Sequence, residues 1–214
     1  MLSSGAAQVL AVVVYGSLAA AGAYGRPPLP WRQSRLERPA TDHGGSRTLE
    51  ALWLASIAAV LLYPLGILFA PAVLLASPLT LRFPSDGVAQ VAGLVLVLAG
   101  AGLAGWAFRS LGRFTTVRIQ LSQDHAIVRA GPYARVRHPM YTANMLLGVG
   151  VTLAFLSLVL WAPIVIIVLI AHFRATSEER MFLASPLLGK NYAEYMTRTG
   201  RFLPSGRLAL PEKL

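Results

Sequence analysis

The chain has no cysteine, few acidic residues and little charge of any kind, and each shortage removes a class of protein. Without cysteine there are no disulfides, thiolate nucleophiles or cysteine metal sites. Only four histidines remain, His43, His125, His138 and His172. No two of them have metal-ligand spacing, so no metal site is expected. Charged residues make up 13% of the 214 positions against 55% apolar ones, and the mean hydropathy is +0.58. That balance excludes an ordinary soluble domain and points to a bilayer. No internal repeat is evident.

What the chain has instead is long apolar runs. Residues 6–24, 50–76, 88–108 and 141–173 are each long enough to cross a hydrocarbon core of roughly 30 Å, which needs about 20 helical residues. The last run is too long for one untilted span and is interrupted near residues 157–163, so it reads as a hairpin of two short helices. The first run lacks the basic n-region of a cleaved leader and is read as a span. Pro64 and Pro71 predict a kink or an early end in the second. The expected fold is an all-α polytopic membrane bundle of about five transmembrane helices. It divides into three N-terminal spans (residues 1–108) and a catalytic part (residues 109–214), all within one structural domain.

The formal net charge of +10 raises the question of nucleic acid, and the placement of the basic residues answers it. All of them except Arg82 fall in three stretches, 26–47, 109–137 and 174–213. With five spans these stretches share one membrane face, as the positive-inside rule expects of the cytoplasm. The N-terminus is then outside, and the C-terminus and the active site are cytoplasmic. Counting 141–173 as a single span would put the basic tail on the opposite face. The expected partners are membrane lipids, with no nucleic acid.

Two polar blocks flank the hairpin and return to the same face. The first runs from His125 through the turn at Gly131 and Pro132 to Arg137-His138-Pro139-Met140-Tyr141. Pro139 restricts His138 to extended backbone and suits the first turn of a helix, which holds His138 at a helix entrance. In the second block Arg174 and Glu178 are four apart and share one helix face. The pair suits a charged or zwitterionic ligand, the carboxylate holding an ammonium and the guanidinium gripping a carboxylate. An ordinary surface ion pair has the same spacing. After Pro186, Tyr192 and Tyr195 mark a second short amphipathic helix on the cytoplasmic surface, beyond the segment that begins at Thr176.

The order His-x-Ile-Val, Gly-x-Tyr, Arg-His-Pro-x-Tyr, hairpin, Arg-x-x-x-Glu, Gly-x-x-Tyr-x-x-Tyr resembles the isoprenylcysteine carboxyl methyltransferases and their relatives, including the phospholipid N-methyltransferases. The resemblance covers residues 111–204, and the N-terminal spans contribute little to it. It implies a helical membrane bundle that binds S-adenosyl-L-methionine in a cytosolic pocket formed by loop, hairpin and tail. It assigns cofactor contacts to His125, Ala126, Ile127, Val128, Tyr133, His138, Pro139, Met140, Tyr141 and Glu178. Ile127 stands where leucine is common. Arg174 matches the arginine facing the methyl acceptor, and Arg174 and Glu178 become the catalytic pair. The segment from Gly189 to Tyr192, with Tyr195, is expected to pack beneath the cofactor.

Methyl transfer is an in-line displacement that needs alignment and exclusion of water. The resemblance implies a lipophilic or lipidated substrate from the bilayer; a prenylcysteine-type carboxylate, the leading acceptor, is ionised at neutral pH and needs no base. An amine, as in lipid N-methylation, would need one, with His138 or Glu179 as candidates. A membrane reductase using NADPH and a non-catalytic membrane protein are the competing classes.

Overall fold

A computed structural model describes residues 3–26, 47–76, 78–111 and 127–205. They form helices α1 (Ser4–Gly25), α2 (Arg47–Phe69), α3 (Pro71–Leu75), α4 (Asp86–Leu111), α5 (Pro139–Phe155), α6 (Trp161–Ala184) and α7 (Gly189–Arg198). Among the described residues, α1, α2, α4 and the stretch Leu158–Ala184 are long and apolar enough to cross a membrane, and α5 is a shorter apolar helix. The architecture is an all-α membrane helix bundle, as the apolar runs predict.

Local chemistry sets the helix ends. The Ser3 hydroxyl caps α1 by accepting from the Ala6 N–H at 3.2 Å. Helix α2 continues through Pro64 and ends at Phe69, because Pro71 keeps Ala70 out of the α region (φ −137°, ψ 54°). Asp86 in the first turn of α4 and Arg109 in its last both complement the helix dipole.

The hairpin reverses slightly earlier than its sequence suggests. Helix α5 stops where Leu156 takes a left-handed conformation (φ 52°), and α6 begins at Trp161 with Pro163 inside its first turn. The reversal is tied down by the 79–81 segment: Leu81 N–H donates to the Leu156 carbonyl and Leu158 N–H to that of Leu79, both at 2.8 Å.

The two hairpin helices are not both short. Helix α6 runs unbroken for 24 residues to Ala184, so residues 176–184 are its last turns and not a separate surface segment. No helix breaker occurs before Ser185 and Pro186, and Ala171, Ala175 and Glu179 bury one face of the continuation.

Around the bundle, α1 packs on α4 and α2, α4 on α5, α5 on α6, and α6 on α2, which closes a ring. The tightest seam joins α4 to α5. A Cβ on Gly93 would collide with the Ala154 backbone, one on Gly100 would lie 3.0 Å from the Ala143 carbonyl oxygen, and one on Gly150 would lie 2.7 Å from the Val97 nitrogen. Small residues that let backbones touch are the usual basis of helix association in lipid. Helix α5 is thus enclosed by protein, and its 17 residues, roughly 25 Å at 1.5 Å each, need not face a full bilayer thickness.

This seam generates a test. Gly150→Val is expected to lower thermal stability in detergent by roughly 1–3 kcal/mol through overpacking. Gly102→Ala, whose Cβ would meet nothing within 4 Å, is expected to melt at or slightly above the wild-type temperature. Equal melting of the two variants would contradict a close α4–α5 contact.

Candidate active site

One end of the bundle, where α1, α4 and α6 finish and α2 and α5 begin, encloses a cavity of about 590 Å³. Its size is that of a cofactor or ligand site. One part is apolar, with Leu18 of α1, Trp53, Leu54 and Ile57 of α2, and Phe108 of α4 on its wall. The other carries Tyr133, Arg137, His138, Tyr141, Arg174, Glu178, Tyr192 and Tyr195.

The polar part is built from both blocks read in the sequence. The approach to α5 turns at Gly131, with φ +60°, where a side chain would strike Ser110 and approach the Trp106 indole nitrogen to 2.9 Å. The short 3₁₀ turn Gly131–Ala134 then buries Tyr133. Residues 135–138 run beside the tail: Arg137 N–H donates to the Gly200 carbonyl at 2.8 Å and His138 N–H to that of Arg201 at 3.0 Å. His138 is the N-cap residue of α5 and Pro139 its first residue, as Pro139 predicts.

Glu178 and Arg174 both reach the cavity, and Tyr141 joins them. Its hydroxyl donates to Glu178 Oε1 at 2.5 Å and accepts from Arg174 Nε at 3.1 Å. His138 Nδ1 lies 3.4 Å from Glu178 Oε2, its Nε2 lies 3.2 Å from Glu179 Oε1, and its ring stacks on Tyr141. Burial opposes protonation of His138. The hydrogen bonds and negative charge of Glu178 and Glu179 outweigh it, so the imidazole titrates above the ordinary histidine value.

Burial raises the Tyr133 and Tyr192 phenols and takes Tyr195 to about 12, so all three stay neutral near pH 7. Tyr195 Oη donates to the Tyr133 carbonyl at 2.6 Å, and Tyr192 stacks on Phe182 with centroids 4.8 Å apart. These aromatics close the side of the cavity formed by α7.

Of the residues expected at the site, Ile127, Val128, Tyr133, His138, Pro139, Met140, Tyr141, Arg174 and Glu178 line this one cavity. His125 and Ala126 lie outside the described residues. Glu179 does not line the cavity. Its buried carboxylate accepts from Arg137 Nε at 2.9 Å and from Arg201 Nε at 3.2 Å, with a second, closer contact to Arg201 Nη2. That engagement removes it as a candidate base.

The sequence reading missed Arg201 and the structural use of Arg137. It also missed the walls contributed by α1 and α2. One signal was available: adjacent residues on a helix diverge by about 100°, so Glu178 and Glu179 cannot face the same surroundings. Glu179 follows Ala171 and Ala175 at four-residue steps, on a face of small residues fit for burial.

Comparison with known proteins adds to this geometry. Residues 88–189 match the model of the phospholipid methyltransferase family, and the resemblance read from the motifs holds. The match begins with α4, earlier than the motifs indicate, so the third span belongs to it. Methyltransferases of this kind generally use S-adenosylmethionine. A relative, the cobalt-zinc-cadmium resistance protein CzcN of Cupriavidus metallidurans, is 31% identical over 121 residues, which are 56% of this chain and 53% of that protein. The chain thus spans about half the length of that relative.

The Glu179 cluster is expected to hold the tail in place. Arg137→Met, which removes a cation whose side chain is only 9% exposed, is expected to cost roughly 2–4 kcal/mol. It should also speed protease cleavage within residues 199–205. Arg198→Met breaks an exposed pair with Glu194 and should cost less than about 0.5 kcal/mol. Similar melting and cleavage for the two variants would refute the anchoring role.

Proposed function

We propose that the protein transfers a methyl group from S-adenosyl-L-methionine to a lipophilic acceptor drawn from the bilayer, with a prenylcysteine-type carboxylate as the leading acceptor. The observation that carries this reading is the continuity of one cavity from the polar group of Glu178, Tyr141, His138 and Arg174 to the apolar wall of Leu18, Trp53, Leu54 and Ile57. Gly22 and Leu54 line the cavity and are also exposed on the outside of the bundle, which supports sideways admission from lipid between α1 and α2.

The residues present fit the cofactor. A carboxylate oriented by a tyrosine and a histidine is suited to a cationic ligand, and Tyr133, Phe182, Tyr192 and Tyr195 offer ring faces and edges for a purine. His138, Pro139, Met140, Tyr141 and Glu178 would hold it, together with Ile127 and Val128. Bound there, S-adenosylmethionine supplies an electrophilic methyl group on a sulfonium.

The chain's own contribution is alignment and dryness. Arg174 is placed to orient an acceptor carboxylate. Its bond to Tyr141 limits how tightly it grips, which leaves the oxygen nucleophilic. The aromatic side excludes water. The family match favours a second reading, N-methylation of a lipid amine. In that case a proton must leave, and Glu178 is the carboxylate at hand on the cavity wall.

Titration of the detergent-purified protein with S-adenosylmethionine, S-adenosylhomocysteine and NADPH tests the reading. Binding of both adenosyl compounds is expected, with Glu178→Ala weakening them by roughly ten- to a hundredfold, the worth of a charge-assisted hydrogen bond. Binding of NADPH alone would end it. Farnesylated cysteine derivatives against dispersed lipid amines, assayed with labelled cofactor, then separate the two acceptors. We further propose that the C-terminus and this end of the bundle face the cytoplasm, on the strength of the basic stretches there. A C-terminal reporter should be active only on the cytoplasmic side.

A further inference from the structure

The cluster around Glu179 has no part in the transfer as proposed, yet it touches a cavity residue at a decisive atom. An ionised carboxylate only accepts hydrogen bonds, and a neutral imidazole carries one N–H. His138 meets a carboxylate oxygen at each ring nitrogen, Glu178 at Nδ1 and Glu179 at Nε2. Two guanidiniums hold Glu179 ionised, and Tyr141 donates to Glu178. The Nε2 contact is a hydrogen bond and the Nδ1 contact, at 3.4 Å, an ion-pair distance; the two are attractive together only when both nitrogens carry hydrogen. We infer that Glu179 is a positioning residue: it keeps His138 as an imidazolium, whose charge at Nδ1 in turn holds the Glu178 carboxylate that faces the cavity.

The surroundings of His138 bear on this from every side. Glu178 and Glu179 of α6 favour the cation. Tyr141 stacks on the ring from its own helix, and Phe202 of the tail packs against it. Arg137 and Arg201 approach through Glu179, and their charge opposes a cation, as does burial. Arg174 stands one step further, behind Tyr141. The raised titration of His138 agrees with the carboxylates prevailing. On deprotonation the ring keeps one N–H and turns a lone pair toward one of the two carboxylates, so the arrangement loosens. The sign follows: positioning of Glu178 is present at neutral and lower pH and is lost as pH rises through the His138 midpoint.

The inference about the ring's charge stands on the geometry alone; its effect on the cofactor rests on the function proposed above. The experiment separates them. Ring-nitrogen NMR of full-length protein labelled in histidine, with the His138 signal assigned by its loss in His138→Gln, reports the charge directly and needs no ligand. An imidazolium at neutral pH is expected for the wild type. In Glu179→Gln the midpoint should move to lower pH, and Glu179→Asp should restore it in part. A neutral His138 in the wild type at neutral pH overturns the inference, even if no variant folds. So does an unmoved midpoint in a folded Glu179→Gln protein.

S-adenosylhomocysteine affinity is measured on the same samples. It should fall roughly tenfold as pH rises through each protein's own midpoint, the worth of one charge-assisted hydrogen bond. A uniform loss of affinity in Glu179→Gln with no displacement of that fall would mark Glu179 as structural only and overturn its positioning role. An imidazolium signal in a wild-type protein that binds no S-adenosylhomocysteine would uphold the charge assignment and sink the proposed function.

Discussion

Where Gly93 and Gly100 of α4 meet Gly150, Leu147 and Ala143 of α5, two helix backbones come together with almost no side chain between them. Lipid tails are as apolar as leucine, so in a bilayer such contact is a main source of helix association. It fixes the depth and rotation of α5. A helix so enclosed can be short, because protein rather than lipid borders it on most sides. The height of His138, Met140 and Tyr141 on the cavity wall is inherited from this seam. Helix α6, returning from the Leu156 reversal, then brings Arg174 and Glu178 opposite them.

The charged end solves a separate problem. Arg137, His138 and Glu179 are all taken out of water, which is costly unless each finds its partners. They do: among the described residues no buried side-chain nitrogen or oxygen lacks a hydrogen bond. Arg137 reaches Glu179 and also the carbonyls of Met196 and Thr199, while Thr142 Oγ1 donates to the Phe202 carbonyl. The tail is therefore bound through backbone as well as charge, and its position beside residues 135–138 is specific. A network satisfied this fully is rigid, which suits the alignment proposed for this site.

Much of this was legible in the sequence because the signals were large. Runs of apolar residues gave the spans, and the side of the membrane on which arginines recur required the hairpin. Pro139 after His138 gave the start of α5, and Pro186 ahead of Tyr192 gave the break before α7. What escaped depended on three-dimensional closure. Arg201 reads as one more basic tail residue until Glu179 is seen to be buried against it. Trp53 and Leu18 read as ordinary span residues, since nothing in a uniformly apolar helix marks which face borders a cavity and which borders lipid. The full length of α6 was obscured for a similar reason: its composition turns polar at Arg174, where hydropathy ends a span although no residue ends the helix.

The apolar wall has a consequence of its own. It is supplied largely by α1 and α2, which lie outside residues 88–189, while most of the polar end falls within them. On the proposed function, the surfaces that would handle the cofactor and choose the acceptor occupy different stretches of one chain and meet only in space. Drift at positions such as 18, 22, 54 and 57 can retune which molecules are admitted without disturbing the groups at the other end. In such a design, kinship over the second half of the chain is a guide to chemistry and a poor guide to clientele.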